Sequence, residues 1–236
     1  MPAPLDQIVE KLRKALPADL VSVILHGSAA TGDHQEKFSD YNLLCVLSQV
    51  TPAELRALEP VFRWWREQGN PAPLLLTEDE IRTSADCFAV EFLDIRAHHR
   101  MLYGKDVVAD LQIPGTSYRA QVEHDLRAKL LRLRQKASGI LSDNDVLRRL
   151  LIDSVSTFCV LIRHALTLHG VEAPAKKRET IAMAQRQFGI DPAPFFTLLD
   201  LREEKRKPKD VEPESLLAAY LKEIGTVIER VDSLGA

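Results

Sequence analysis

Two apolar runs limit what this chain can fold into. LVSVILHG at residues 20–27 and YNLLCVL at 41–47 are rich in β-branched and aliphatic side chains. They are too continuous for strands with one face in water, so both are expected as buried neighbouring strands. The segment between them, SAATGDHQEKFSD, carries the Gly, Ser and Asp of a loop long enough to wrap a ligand.

Around this pair the first half alternates. Leu5, Ile8, Val9, Leu12 and Leu16 share one helical face before Pro17 ends the pattern. Thr51-Pro52-Ala53-Glu54 reads as a capping box with proline at the first helical position, which opens a second helix running to about Gly69. PLLLT at 73–77 is expected as a third strand, Thr77 to Glu80 as another capped turn, and FAVEFLDI at 88–95 as a fourth strand. After Ile113-Pro114-Gly115 the strand signal stops. Helices are expected near 117–139, 142–169, 176–188, 192–206 and 213–233. On the longest, Ser142 is the expected cap, and Val146, Leu150, Leu151, Val155, Phe158, Ile162 and Leu166 form the core stripe. The expected fold class is α+β, with a mixed sheet and flanking helices over 1–113 and an all-α helical bundle over 114–236.

Composition narrows the function classes. A formal net charge of −3 argues against nucleic acid as the main partner. Cys45, Cys87 and Cys159 show no metal-ligand spacing and are read as reduced core residues. No apolar run is seen to approach bilayer-spanning length, and MPAPLDQIVEKL lacks the uninterrupted apolar stretch of a secretory signal, so a cytoplasmic protein without a membrane partner is expected.

The candidate chemistry lies where the two strands face the loop. His26-Gly27-Ser28 ends the first, eleven residues separate Ser28 from Asp40, and Ser39-Asp40-Tyr41-Asn42 opens the second. Glycine and serine at a strand's end let phosphates approach backbone N–H groups. Side chains two apart on a strand share a face, so positions 40 and 42 can serve one site.

These residues resemble the motif of the nucleotidyltransferase superfamily, Gly-Ser, nine to thirteen residues, then Asp-x-Asp/Glu. The superfamily includes the minimal and the aminoglycoside nucleotidyltransferases. The resemblance implies Mg²⁺ as cofactor, a nucleoside triphosphate such as ATP as substrate, and a small-molecule or protein hydroxyl as acceptor. It implies nucleotide binding by Gly27, Ser28 and Ser39, metal binding by Asp40 and Asn42, and a third carboxylate that activates the acceptor, Glu91 with Asp94 as runner-up. Glu91 is thus grouped with Asp40 and Asn42 as catalytic. Position 42 departs from the pattern, because asparagine offers one neutral oxygen and no charge. Loss of that charge weakens a second metal site more than a first. A catalytically silent nucleotide-binding or protein-interaction module is therefore the alternative to an enzyme. A homodimer is left open.

Other features have plainer readings. Arg96, His98, His99 and Arg100 lie where basic groups could reach phosphates, yet His98-His99 reads first as a solvated surface pair. Of Trp64 and Trp65, one is expected in the core. The basic groups of RAKLLRLRQK and of Lys176, Lys177 and Arg178 read as solvated helix faces or helix-end contacts. Arg163 and His169 weakly resemble the Arg-x(4–6)-His motif of HEPN-type ribonucleases, which makes RNA cleavage a third reading.

Overall fold

The computed structural model describes residues 4–30, 40–113 and 115–235, and the chain divides into two compact units, Met1–Pro114 and Gly115–Ala236. The first contains helices α1 (Pro4–Ala15), α2 (Pro52–Glu67), α3 (Glu78–Thr83) and α4 (Ala89–Ala97). It also contains strands β1 (Leu20–His26), β2 (Asn42–Leu47), β3 (Leu74–Thr77) and β4 (His99–Gly104). The strands form one sheet in the order β3-β2-β1-β4. β1 runs antiparallel to β2 and β4, and β3 lies parallel to β2.

The continuity of the two apolar runs follows from that order. β1 and β2 are the inner strands, so alternate side chains must be buried on both faces. On one face Val23, Leu25, Leu43, Cys45 and Leu47 pack with Ile8 and Leu12 of α1 and Leu58 and Trp65 of α2. On the other, Ile24, Leu44 and Val46 pack with Ile81 of α3 and Phe92 and Ile95 of α4. Both capping boxes form. The Thr51 and Thr77 hydroxyls accept from the N–H groups of Ala53 and Glu80 at 3.2 and 3.1 Å, and Glu54 and Glu80 accept back from the cap N–H groups at 2.9 and 2.8 Å. Each cap contributes about 1 kcal/mol to its helix.

Sequence and structure differ in the last part of this unit. FAVEFLDI does not form a strand: its residues lead into and make up α4, and the fourth strand is the HRMLYG segment after it. This part of the chain therefore passes from helix to strand. Cys45 and Cys159 are buried and in no disulfide, but Cys87 is exposed, in the turn before α4. Burial alone pushes the Cys45 thiol up to about 12, which makes it inert packing.

The second unit comprises α5 (Gly115–Ser138), α6 (Asn144–Leu168), α7 (Lys177–Phe188), α8 (Ala193–Arg202) and α9 (Pro213–Asp232). α6 packs against each of the other four. Leu151, Val155, Phe158, Ile162 and Leu166 are buried as expected, whereas Val146, near the helix start, is exposed. Asp143 rather than Ser142 caps α6, accepting from the N–H groups of Asp145 and Val146 at 3.2 and 3.0 Å. By length and hydropathy α6 reaches what a bilayer span needs, contrary to the expectation that no segment would. Its apolar stripe has a different use here, since those residues are buried against neighbouring helices.

Candidate active site

Three strands end together at the motif. His26, the last residue of β1, is paired with Asn42 at the start of β2 on one side and with His99 at the start of β4 on the other. Strand alternation puts these positions on the face of Ile24, Leu44 and Met101, the face that α4 covers. Gly27 then leaves the strand with φ +73°, and the amide nitrogen of Asn42 lies 3.1 Å from where a Cβ at Gly27 would stand. A side chain at position 27 would thus press on Asn42 as well as force an unfavourable backbone.

Asp40 is exposed just before β2, and Asn42 is half-buried at its first position. Ser39 lies outside the described residues, as does the side chain of Ser28. The two carboxylates proposed for the acceptor side are carried by α4. On a strand Glu91 and Asp94 would have faced opposite ways, but three residues apart on a helix they are neighbours. Glu91 is exposed and Asp94 is half-buried.

Asp94 acts directly on the strand end. Burial lowers the pKa of His26, while the negative charge of Asp94 opposes that shift. Burial wins, so the imidazole is neutral at neutral pH. Its Nε2 is buried with no hydrogen-bond partner among the described residues. His26, which pairs with Asn42 and precedes Gly27, is thus the residue of the strand end that feels the charge of Asp94.

His99 is not a solvated surface residue. Its side chain is only 15% exposed, its Nε2 lies 2.8 Å from Asp106, and its Nδ1 faces the Arg96 carbonyl at 3.3 Å. Burial pushes the Asp106 carboxyl up. Hydrogen bonds from His99 and from the N–H groups of Val108 and Ala109 outweigh that and hold it below its ordinary value. Such a carboxylate contributes stability that is complete above its unfolded pKa and is lost as pH falls through the lower folded value. Asp106→Asn is expected to flatten the acid limb of urea unfolding below about pH 4, where unperturbed aspartate titrates. An unchanged acid limb would show that the contact carries no linked proton.

Arg96 donates to the Leu111 carbonyl at 2.8 Å, so it anchors the segment after β4. Trp65 is fully buried, and Trp64 lies beneath the Lys11 ammonium at 4.8 Å. Arg178 makes a helix-end contact: it donates to Asp200 and Glu203 at 2.7 and 2.8 Å, tying α7 to α8 and its C-terminal turn. His169 closes α6, with Nδ1 2.9 Å from the Ala165 carbonyl and its ring edge-on to Phe188 at 4.9 Å. Those contacts give His169 a structural task.

Among the described residues no group of three His, Cys, Asp or Glu side chains is placed to hold a metal. The donor set at the motif is one carboxylate and one amide oxygen. That set fits a magnesium ion that keeps most of its shell as water and substrate phosphate, and does not fit a pair of ions held by protein alone.

Residues 5–94 match the family of the nucleotidyltransferase domain. That match lies within the N-terminal unit and takes in the mixed sheet's first three strands and the motif where β1 ends and β2 begins. The whole chain also has the fold of a solved structure, spectinomycin adenyltransferase AAD(9) from Enterococcus faecialis with ATP and spectinomycin. That protein is 15% identical, with a TM-score of 0.60, over 97% of this chain and 98% of that one. The helical unit therefore belongs to the shared fold. Comparison of the sequence with curated proteins gives no match.

Proposed function

We propose that the protein is a magnesium-dependent nucleotidyltransferase that uses ATP and modifies a hydroxyl of a small-molecule acceptor. The observation that carries the reading is the meeting of Gly27 and Asn42 where β1 ends and β2 begins, on the sheet face that α4 covers. The ATP and spectinomycin of the structural relative support a nucleotide donor and a small acceptor. The resemblance of fold does not choose which acceptor.

In this reading Gly27, Ser28 and Ser39 receive the phosphates, and Asp40 holds Mg²⁺ with Asn42 beside it. The ion would offset phosphate charge. Asp94 takes the proton of the acceptor hydroxyl. It is preferred to Glu91 because it is half-buried and its charge reaches His26. The hydroxyl oxygen forms a bond to the α-phosphorus, the bond from that phosphorus to the bridging oxygen breaks, and pyrophosphate leaves.

Asn42 supports a second reading, a domain that binds nucleotide without turning it over, since the site has lost one of the charges that hold a second ion. Pyrophosphate release from ATP, measured against a panel of hydroxylated small molecules, separates the two. Acceptor-dependent release by the native protein is expected. Silence from both the native protein and Asn42→Asp, with ATP binding intact, would leave the binding module.

A further inference from the structure

The residue between the two motif positions is held from outside the motif. Tyr41 donates its backbone N–H to the side-chain oxygen of Asn70 at 3.1 Å. That N–H belongs to the peptide group joining Asp40 to Tyr41, so the bond fixes the plane from which the Asp40 side chain departs.

β3 does not reach this point. Its pairing with β2 begins at Leu44 opposite Leu74 and continues to Leu47 opposite Thr77. The stretch of β2 before Leu44 has no β3 residue beside it, and an N–H there lacks the carbonyl that a longer β3 would supply. The Asn70 side chain provides one.

Asn70 is itself tightly held. α2 ends in a Schellman arrangement: Gly69, at φ +85°, donates to the Arg66 carbonyl at 2.9 Å, and Asn70 donates to the Trp65 carbonyl at 3.4 Å. The position after the left-handed glycine commonly carries an apolar residue packed back on the helix. Here it carries an amide directed at Tyr41. Trp65 is fully buried, and its ring lies 6.2 Å from that of Tyr41. One helix end thus fixes the backbone through Asn70 and the neighbouring side chain through Trp65.

We propose that Asn70 is a positioning residue for the metal-nucleotide site, acting through the Asp40–Tyr41 peptide and touching no substrate. This rests on the assignment of Asp40 to magnesium nucleotide binding. A partner that orients a metal ligand is typically worth about 10- to 100-fold in affinity. Asp at position 70 retains an oxygen acceptor, whereas Ala does not.

The test is calorimetric titration of native protein, Asn70→Ala, Asn70→Asp and Asp40→Ala with ATP and Mg²⁺, together with hydrogen exchange of the Tyr41 amide without ligand. Asn70→Ala is expected to bind about 10- to 100-fold more weakly and to lose Tyr41 protection. Asn70→Asp is expected to retain both, and all variants to melt close to the native protein without ligand. Native affinity in Asn70→Ala would overturn the proposal, as would equal weakening in Asn70→Asp. If native protein and Asp40→Ala bind alike, the Asp40 assignment fails and takes the positioning role with it, even where Tyr41 exchange confirms the tether.

Discussion

Asp40→Ala is expected to lower nucleotidyl transfer about a thousandfold, equivalent to about 4 kcal/mol of transition-state stabilisation. The size follows from how little else is present. With asparagine at 42, the motif supplies one negative charge to offset a magnesium ion, and no cluster of three ligating side chains among the described residues can take over. The variant should fold normally, because Asp40 is exposed and stands ahead of the strand. Steady-state pyrophosphate release, with thermal unfolding as the folding control, measures the effect. A loss below about tenfold would mean that a single charge at position 40 does not bear the metal.

The largest stability effect is expected at Gly104→Ala. Gly104 ends β4 opposite Ser22 with φ +77°, and a Cβ there would stand 2.0 Å from the Val21 carbonyl oxygen and 3.0 Å from the Ser22 Cα. Both are backbone atoms of the central strand, so no side-chain rotation relieves the contact. The left-handed conformation alone costs about 1–2 kcal/mol, and separation of the β1–β4 ladder raises the total to about 4 kcal/mol. Gly69→Ala is the control. It has a similar φ of +85° and nothing within 4 Å of the added carbon, so only the conformational cost of about 1–2 kcal/mol applies. Urea unfolding of the two variants should differ clearly, and equal midpoints would show that β4 yields to the new methyl without cost.

What the sequence disclosed was whatever depends on neighbours along the chain. Thr51 with Glu54 and Thr77 with Glu80 are three residues apart, and both boxes form as read. The runs around Ile24 and Leu44 are continuous because both faces of inner strands are buried, and they are the inner strands. FAVEFLDI resembles a strand because a short helix buried by Val90, Phe92 and Ile95 has no clear period and carries the aromatic and branched residues of a strand. The true fourth strand opens with His99 and Arg100, which conceal it.

That exchange alters the reading of the site. Glu91 and Asp94 cannot be separated by strand alternation, and the order between them now rests on burial and on the charge felt by His26. The Tyr41–Asn70 bond had no signal at all, since its partners are twenty-nine residues apart and asparagine after a glycine reads only as a turn. His99 looks solvated in the sequence because its partner Asp106 lies beyond the end of β4, where spacing does not reveal the contact.

Magnesium-dependent nucleotide binding tests the central claim most directly, because it requires no knowledge of the acceptor. Thermal unfolding of the native protein and Asp40→Ala would be followed with ATP, with and without Mg²⁺. At ligand concentrations about a hundredfold above Kd the native protein should gain about 2.7 kcal/mol, with a rise in Tm that needs both components and is absent in Asp40→Ala. No rise in the native protein under any of these conditions, or a rise of equal size in Asp40→Ala, would contradict the assignment.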